Sequence, residues 1–170
     1  MKLLLSLVLI LTFSTSFLSY ANTAPTDITV GKKVILQSKI LNEDRPLRIF
    51  IPETVKDEQP LYVIYLLDGV EHFHTASGVI KSLVDYDQIP NAMLVAIDTT
   101  NRVRDYLPKV QGEPKTEFQT FVKNKWPDAG QTDNFLKFVS DELMPFINSN
   151  YPTNGHNTLI GHSNAGTLAL

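Results

Sequence analysis

The residue with the strongest case for chemistry in this sequence is Ser163, in the stretch LIGHSNAG (159–166). A short apolar run precedes it and a helix start follows, and a serine on such a sharp strand-to-helix turn is presented as a nucleophile. The turn needs small neighbours because the strand and the helix approach closely. Gly161 satisfies this before the serine, while Ala165, followed by Gly166, stands where a glycine is usual. An ordinary Gly/Ser-rich turn is the alternative interpretation of this segment taken alone.

A serine that attacks a carbonyl also needs N–H donors for the negative oxygen, each typically contributing about 3 kcal/mol of transition-state stabilisation. The N–H of Asn164, directly after the serine, is one expected donor. The apolar run LYVIYLL (61–67) ends at Asp68, Gly69 and Val70. The glycine permits a sharp turn, and the Val70 N–H is the expected second donor. A plain turn is the alternative interpretation of this Asp-Gly pair.

The elements that must position these groups alternate between strands and helices. Two half-buried strands, 34–40 and 47–51, flank a turn at 42–46 and predict an N-terminal hairpin. Continuous apolar runs predict further strands that are buried on both faces, and helical spacing predicts the helices between them. The two buried strands are 61–67 and 93–97, a further short strand is 157–161, and the helices are about 74–84 and 133–148. This order predicts an α/β fold with a mostly parallel sheet and right-handed crossovers.

Some local features of the helices and connections are also predicted. Thr132 or Asp133 is expected to cap the helix over 133–148, and Pro145 to kink its last turn or end it early. The connection 98–131 is predicted to be long and irregular. Within it, the loop that carries Trp126 is expected either to roof the substrate or to pack its aromatic ring on the surface.

The first 21 residues predict a cleaved secretory signal peptide. Lys2 precedes an apolar run, and Ser19 and Ala21 stand at the positions that a signal peptidase recognises. An uncleaved membrane anchor is the alternative, although the strongly apolar part is short for a membrane span. We therefore expect a mature chain over 22–170 that is periplasmic or secreted and has no membrane association after cleavage.

Composition excludes several classes of function. The chain has no cysteine, which removes disulfides, thiolate metal sites and a cysteine nucleophile. Its 43% hydrophobic content can fill a packed core, and its net charge of −3 carries no basic footprint for nucleic acid. Nothing in the sequence indicates the oligomeric state.

Four stretches together resemble the putative esterase (esterase D-like) family of α/β-hydrolases. They are SKILNEDRPLRIFIP (38–52), YVIYLLDGVEHFH (62–74), AMLVAIDTTNRVRDYLP (92–108) and LIGHSNAG (159–166). The family includes siderophore esterases, feruloyl esterases, S-formylglutathione hydrolases and the antigen 85 mycolyltransferases. The resemblance runs from Val30 to Leu170, and LLDG and GHS are its most specific pieces.

The resemblance implies a function and a set of site residues. Its fold is the α/β-hydrolase fold, here a partial domain over 22–170 truncated after the nucleophile turn. The nucleophile falls on Ser163 and the oxyanion donors on Val70 and Asn164, the substrate is a small-molecule ester, and neither a metal nor an organic cofactor is required. Arg102, Arg104 and Asp105 match a recurrent family loop, for which we predict a loop-ordering salt bridge.

The partners that would activate the serine are not where this fold carries them. In α/β-hydrolases the acid and the histidine follow the serine in the chain, but residues 164–170 contain no Asp, Glu or His. His162 is expected to pack the turn and to project away from Ser163, and His156 to lie at the opposite end of the sheet. His72 and His74 are expected near the pocket mouth, either as substrate contacts or at a solvated helix start, and no third ligand supports a metal there.

Two carboxylates stand at the ends of predicted strands. Asp68 and Asp98 lie where α/β sheets bind ligands, and each is predicted to be a turn residue that caps backbone groups.

The leading hypothesis for the function is the N-terminal part of an exported serine esterase that is inactive alone. A non-catalytic or ester-binding product, and an acyltransferase with the same acyl-serine chemistry, are the alternatives.

Overall fold

The computed structural model describes residues 25–56 and 58–169, and these residues form a five-stranded mixed sheet with helices on both faces. The predicted signal peptide over 1–21 lies outside the described residues. The strands run in the order β1-β2-β4-β3-β5. They are β1 (Lys32–Ser38), β2 (Glu43–Phe50), β3 (Leu61–Leu66), β4 (Ala92–Ile97) and β5 (Thr153–Ile160). β1 and β2 form an antiparallel hairpin and β2 pairs antiparallel with β4, whereas β3 is parallel to both β4 and β5.

Six α-helices lie between or after the strands of the described chain. They are α1 (Gly69–Asp85), α2 (Arg102–Tyr106), α3 (Glu117–Lys125), α4 (Thr132–Phe138), α5 (Met144–Asn150) and α6 (Asn164–Leu168). In the described part of the chain, no helix is long and apolar enough to cross a membrane. The predicted α/β organisation and N-terminal hairpin are therefore present.

Each face of the sheet carries its own core. Every residue of β4 is buried, because Met93, Val95 and Ile97 face one helical layer while the alternating residues face the other. The first layer is formed by α4, α5 and the turn between them, and the second by α1. The continuous apolar run that predicted a strand buried on both faces is confirmed at β4.

The predicted turn at 42–46 is wrong, because most of those residues belong to β2. The turn lies over 39–42, and β2 begins at Glu43. The polar stretch looked like a loop because it contains Arg45, yet this side chain is fully buried and paired with Asp105. A buried ion pair has no signature in local sequence patterning, so residues 43–46, the first half of β2, were assigned to the turn.

The predicted connections and helix ends also differ from the structure. α1 begins five residues earlier than expected, at Gly69, because Asp68 takes a left-handed conformation that starts the helix directly after β3. The connection 98–131 is not irregular throughout, since it contains α2 and α3. Neither predicted cap holds for α4: its cap residue is Gln131, and the Thr132 hydroxyl donates to the Leu107 carbonyl instead.

Pro145 does not end the helix that contains it. The residues Val139–Leu143 form a π-helical turn, in which the Met144 N–H donates to the Val139 carbonyl. α5 then continues past the proline to Asn150. Proline lacks an N–H and clashes with the preceding turn, and the wider π turn absorbs this conflict without breaking the helix.

Candidate active site

Ser163 lies on a sharp turn between β5 and α6, as the sequence predicted. Its backbone has φ 60° and ψ −125°, a combination that non-glycine residues rarely adopt. The residue is exposed, and α6 begins directly after it at Asn164. A strained residue of this kind persists only where the surrounding packing holds it, and such residues concentrate at functional sites.

Gly161 and Ala165 explain how the strand and the helix come so close. A Cβ atom on Gly161 would lie 2.3 Å from the Ala165 carbonyl oxygen and 2.4 Å from its carbon. These are backbone atoms, so the contact cannot be relieved by a side-chain movement. Ala165 is itself fully buried in the core beside α4 and α5, which shows how the methyl group is accommodated where glycine is usual. Gly166, expected to belong to this turn, lies in α6.

The second turn of the site follows β3. Asp68 has φ 55° and ψ 53°, and α1 begins at Gly69 with Val70 in its first turn. A Cβ atom on Gly69 would lie 2.8 Å from Oδ1 of Asp98 and 3.0 Å from the Ile97 carbonyl carbon, so only glycine fits there. The N–H groups in the first turn of a helix have no acceptor within that helix, and both Val70 and Asn164 occupy this position.

The sheet brings these two turns to the same edge. β3 and β5 are parallel neighbours with Leu66 opposite Ile160, and the Leu67 N–H donates to the Ile160 carbonyl at 2.9 Å. Both strands therefore end side by side, and the chain turns into α1 and α6 from adjacent points. The rings of His72 and His162, one from each turn, meet edge to face at 6.1 Å between centroids.

Asp68 and Asp98 do not cap backbone groups with their side chains, contrary to the prediction. The Asp68 carboxylate accepts from Nε of Arg102 at 3.1 Å and 3.0 Å, one bond to each oxygen, and from the Thr99 hydroxyl at 2.8 Å. Oδ1 of Asp98 accepts from Nε of Arg48 at 2.7 Å. Both carboxylates are almost fully buried, so each needs a cationic partner and has one.

Arg102 also reaches the turn that carries Ser163. Its Nη2 donates to the carbonyl oxygen of His162 at 3.1 Å. The predicted loop-ordering salt bridge is present in its neighbours: Arg104 donates to Glu43 at 3.0 Å and 2.9 Å and to Asp105 at 2.7 Å. Arg102 itself makes a different set of contacts and joins the two turns.

Two residues at this site were missed by sequence reasoning. The hydroxyls of Thr99 and Tyr106 lie 3.0 Å apart, and the Asp68 N–H donates to the Tyr106 oxygen at 3.4 Å. Burial raises the pKa of Tyr106 to about 12, although its hydrogen bond with Thr99 acts in the opposite direction. The sequence signal that could have found them was position alone, because Thr99 directly follows Asp98 at the end of β4.

The structure places the four histidines in different surroundings. His72 is half-buried beside the turn that carries Ser163, while His74 is exposed and lines a separate cavity of about 240 Å³ with Ile28 and Phe50. Only His72 of that pair therefore lies at the expected position. His162 is exposed, and its ring contacts His72.

His156 lies within β5 and not before it, stacked on Tyr62 at 5.0 Å. Tyr62 belongs to the first half of β3, so His156 is at the opposite end of the sheet from Ser163, as predicted. Among residues 25–56 and 58–169, no group of three or more His, Asp or Glu side chains is arranged to hold a metal ion.

Trp126 packs against its own helix. Its ring meets Phe121 edge to face at 5.2 Å between centroids, and Nζ of Lys125 lies above the Phe121 ring at 5.1 Å. The aromatic ring therefore covers the end of α3. Whether this segment also roofs a substrate stays a prediction.

Comparison with known proteins identifies the family of the chain. A family model described as putative esterase matches residues 38–170. The ferri-bacillibactin esterase BesA of Bacillus subtilis is 27% identical over 143 residues, which span 76% of this chain and 48% of BesA. An uncharacterised protein of the same organism, YjcH, is 25% identical over 152 residues, or 86% of this chain and 56% of YjcH.

Solved structures share the fold. An IroE-like serine hydrolase from Shewanella oneidensis superposes with a TM-score of 0.69 at 32% identity, covering 82% of this chain and 44% of that one. The siderophore hydrolase EstB from Aspergillus nidulans has a TM-score of 0.66 at 20% identity, covering 87% of this chain and 52% of that one, a likeness of fold alone. The predicted α/β-hydrolase fold is confirmed, and the chain spans about half the length of the curated relatives it matches. The chain belongs to the putative esterase family.

Proposed function

We propose that this chain carries the nucleophile and the oxyanion-binding half of a serine esterase. The observation that carries the proposal is the strained backbone of Ser163 at the carboxyl end of β5, directly beside the turn that presents Val70 after β3. A hydroxyl and two N–H donors converging at one sheet edge is the arrangement that acyl transfer requires. Membership of the putative esterase family supports the same reaction.

The proposed reaction has two steps through an acyl-serine. Oγ of Ser163 attacks the ester carbonyl, and the N–H groups of Val70 and Asn164 hold the negative oxygen while the alcohol leaves with a proton. Water then attacks the acyl-serine, the same donors hold the second oxyanion, and the carboxylic acid is released. Both steps need a base to move protons.

We propose that this base lies outside the described site. Residues 164–170 hold no Asp, Glu or His. The chain also spans only about half of its curated relatives. A histidine and an acid encoded further along would then complete the site, and the 170-residue chain alone would be inactive. The same observation favours the second candidate, a non-catalytic product that binds esters.

The substrate proposed is a small-molecule carboxylic ester, with siderophore esters as the leading class. BesA is named as a ferri-bacillibactin esterase, and its 27% identity to this chain supports that class. An acyltransferase would use the same acyl-serine and differ only in passing the acyl group to an alcohol instead of water. We further propose export to the periplasm or the medium, on the signal-like residues 1–21.

The first experiment reads the coding sequence beyond codon 170. We expect a continuation, in frame or after a frameshift, that encodes an acid and then a histidine. Unrelated sequence in every frame would contradict the esterase proposal and leave the non-catalytic product. For the 170-residue chain, we expect hydrolysis of p-nitrophenyl acetate to be the same with and without the Ser163→Ala change.

The second experiment tests the nucleophile in the complete gene product. A fluorophosphonate probe should add one phosphonyl group to the peptide that contains Ser163, measured by mass spectrometry, and Ser163→Ala should abolish both the adduct and ester turnover. Asn157→Ala on the exposed part of β5 is a matched control that should keep both. Full turnover by the Ser163→Ala variant would refute the acyl-serine mechanism.

A further inference from the structure

We propose that Arg102 is a positioning residue that holds the two oxyanion-binding turns in register, and this inference rests on the proposed function. One guanidinium group bridges Asp68, which begins the Val70 turn, and His162, which begins the Ser163 turn. The site thus depends on a residue from a third segment, α2, that donates no group to the reaction.

The bridge uses two nitrogen donors of one rigid guanidinium group. Nε of Arg102 donates to both Asp68 oxygens at 3.1 Å and 3.0 Å, and Nη2 donates to the His162 carbonyl at 3.1 Å. Because the guanidinium is planar and its donors are fixed relative to one another, these bonds set the distance between the two acceptors. A lysine ammonium supplies the charge without this fixed geometry.

The acceptors are well placed to transmit that constraint. Asp68 precedes Val70 by two residues, and His162 precedes Asn164 by two residues, so the bridge acts on the chain just before each proposed donor. Ser163 has φ 60° and ψ −125°, outside the left-handed helical region, so its turn needs external contacts to persist.

Further contacts hold the Arg102 bridge itself in place. Thr99 donates to Oδ1 of Asp68 at 2.8 Å, and the Asp68 carboxylate is 6% exposed. The Arg102 guanidinium lies 5.7 Å above the ring of Tyr106, whose oxygen accepts from the Asp68 N–H. Burial strengthens the bonds at the Asp68 carboxylate, whereas the bond from Arg102 to the His162 carbonyl is exposed.

Arg102 is not needed to attach α2 to the rest of the protein. Arg104, two residues along, already binds Glu43 and Asp105, and Asp105 binds the buried Arg45. Neither Arg104 nor Asp105 bonds to the residues of the Ser163 turn in the described structure. The contacts that order the loop and the contacts that join the two turns are therefore made by different residues.

The expected kinetic signature is a loss of kcat with little change in KM. The oxyanion exists only in the transition state and the tetrahedral intermediate, so misaligned donors weaken those states and leave ester binding intact. In the complete gene product, Arg102→Gln should lower kcat about 10-fold to 100-fold and leave KM within about twofold. Arg102→Lys should recover only part of this loss.

Two further variants separate the bridge from a structural effect. Arg104→Gln removes one of the ion pairs that hold α2, while the buried Arg45–Asp105 pair remains, so it should lower the melting temperature and leave kcat within about twofold. Asp68→Asn should reproduce the kcat loss. Combining it with Arg102→Gln should add little further loss, because both changes remove the same interaction between Arg102 and Asp68. Full kcat in Arg102→Gln, a loss confined to KM, an equal loss in Arg104→Gln or complete rescue by Arg102→Lys would each overturn the proposal.

Amide hydrogen exchange tests the bridge in the 170-residue chain without any turnover. Arg102→Gln should speed exchange at 69–72 and at 163–166 by at least about tenfold, and leave the β1–β2 hairpin unchanged. Arg104→Gln should speed exchange in the β1–β2 hairpin and leave exchange at 69–72 and at 163–166 unchanged. Unchanged exchange at both turns in Arg102→Gln would overturn the inference, whereas retained turnover in Ser163→Ala would instead refute the proposed function and leave the exchange result standing.

Discussion

Five non-glycine residues of the described chain have positive φ, and Ser163 differs from the three Asx residues among them. Asn42, Asp87 and Asp68 are Asx residues, the types that tolerate left-handed backbone most readily. Ser163 has ψ −125°, outside the left-handed helical region, so its conformation depends on the contacts around it. Gly161, which lets Ala165 approach, is one source of those contacts.

Gly161→Ala should therefore destabilise the fold and displace the Ser163 turn. The new methyl group would lie 2.3 Å from the Ala165 carbonyl oxygen, and an overpacked backbone contact of this kind costs about 1–3 kcal/mol. Urea unfolding followed by circular dichroism measures the change in the free energy of unfolding.

The matched control is Gly78→Ala in α1. A Cβ atom there meets nothing within 4 Å, and alanine in a helix interior is favoured over glycine by about 0.5–1 kcal/mol. This variant should raise the free energy of unfolding. Equal effects of the two changes, in either direction, would contradict the close approach of β5 and α6.

At the scale of elements, a buried ionic network joins the hairpin to α2. Arg45 of β2 is fully buried, pairs with Asp105 at 2.9 Å and with Glu43, and lies over the adjacent rings of Phe135 and Phe138. Burial acts to raise the pKa of Glu43, but hydrogen bonds from Arg104 and Thr100 outweigh it and hold the pKa below 4.5. The network fixes α2, and with it the segment that carries Arg102.

Asp105→Ala should strongly destabilise the protein. It leaves a fully buried guanidinium with one carboxylate fewer, and breaking a buried pair costs about 3–5 kcal/mol, with the lower end expected because Glu43 remains. Thermal and urea unfolding measure the loss. Asp85→Asn, at an exposed ion pair with Lys81, is the control and should change stability very little. A small effect of Asp105→Ala would show that Arg45 is solvated.

At the scale of the molecule, the sheet separates two helical layers and leaves β5 at one edge. The exposed residues of β5 include Ile160, which lines an apolar groove of about 440 Å³ against α1. On the other face, Tyr65 is fully buried in the core beside α4 and α5. Two buried phenols, Tyr65 and Tyr106, thus occupy the interior near the site.

Alkaline pH should unfold the protein through these two phenols. Burial raises the pKa of Tyr65 to about 12, and burial, the first cause at Tyr106, raises its pKa to about 12 as well. The folded state therefore holds these protons more tightly than the unfolded chain, whose tyrosines have a pKa near 10. The stabilisation that comes from these two protonated phenols is fully present below pH 10 and is lost as the pH rises towards 12.

The urea midpoint as a function of pH, together with tyrosinate absorbance at 295 nm, checks this expectation. Tyr65→Phe should flatten the fall in stability above pH 10, whereas Tyr86→Phe, at an exposed tyrosine, should not. A single titration of all tyrosines near pH 10 with no loss of structure would contradict the burial of Tyr65 and Tyr106.

Patterning predicted the elements well where one physical rule dominates. The apolar run 61–67 and the strand at 93–97 match β3 and β4 to within one residue. Every residue of β4 is buried, as burial on both faces requires, whereas Tyr62 of β3 is 36% exposed. The prediction failed where a tertiary contact overrides the local preference. Arg45 sits in a strand because Asp105 lies opposite it, and Pro145 stays within a helix because a π turn accommodates it.

The sequence by itself determined the order of strands and helices, the glycine and serine of the turn after β5, and the family to which the chain is similar. These depend on spacing and residue size within short segments, and that information is local. Only the tertiary structure decided that Asp68, Arg102 and His162 meet, and that His74 faces another cavity than His72. The physical reason is that hydrogen bonds between distant segments depend on strand order and register, which set which strand ends are neighbours.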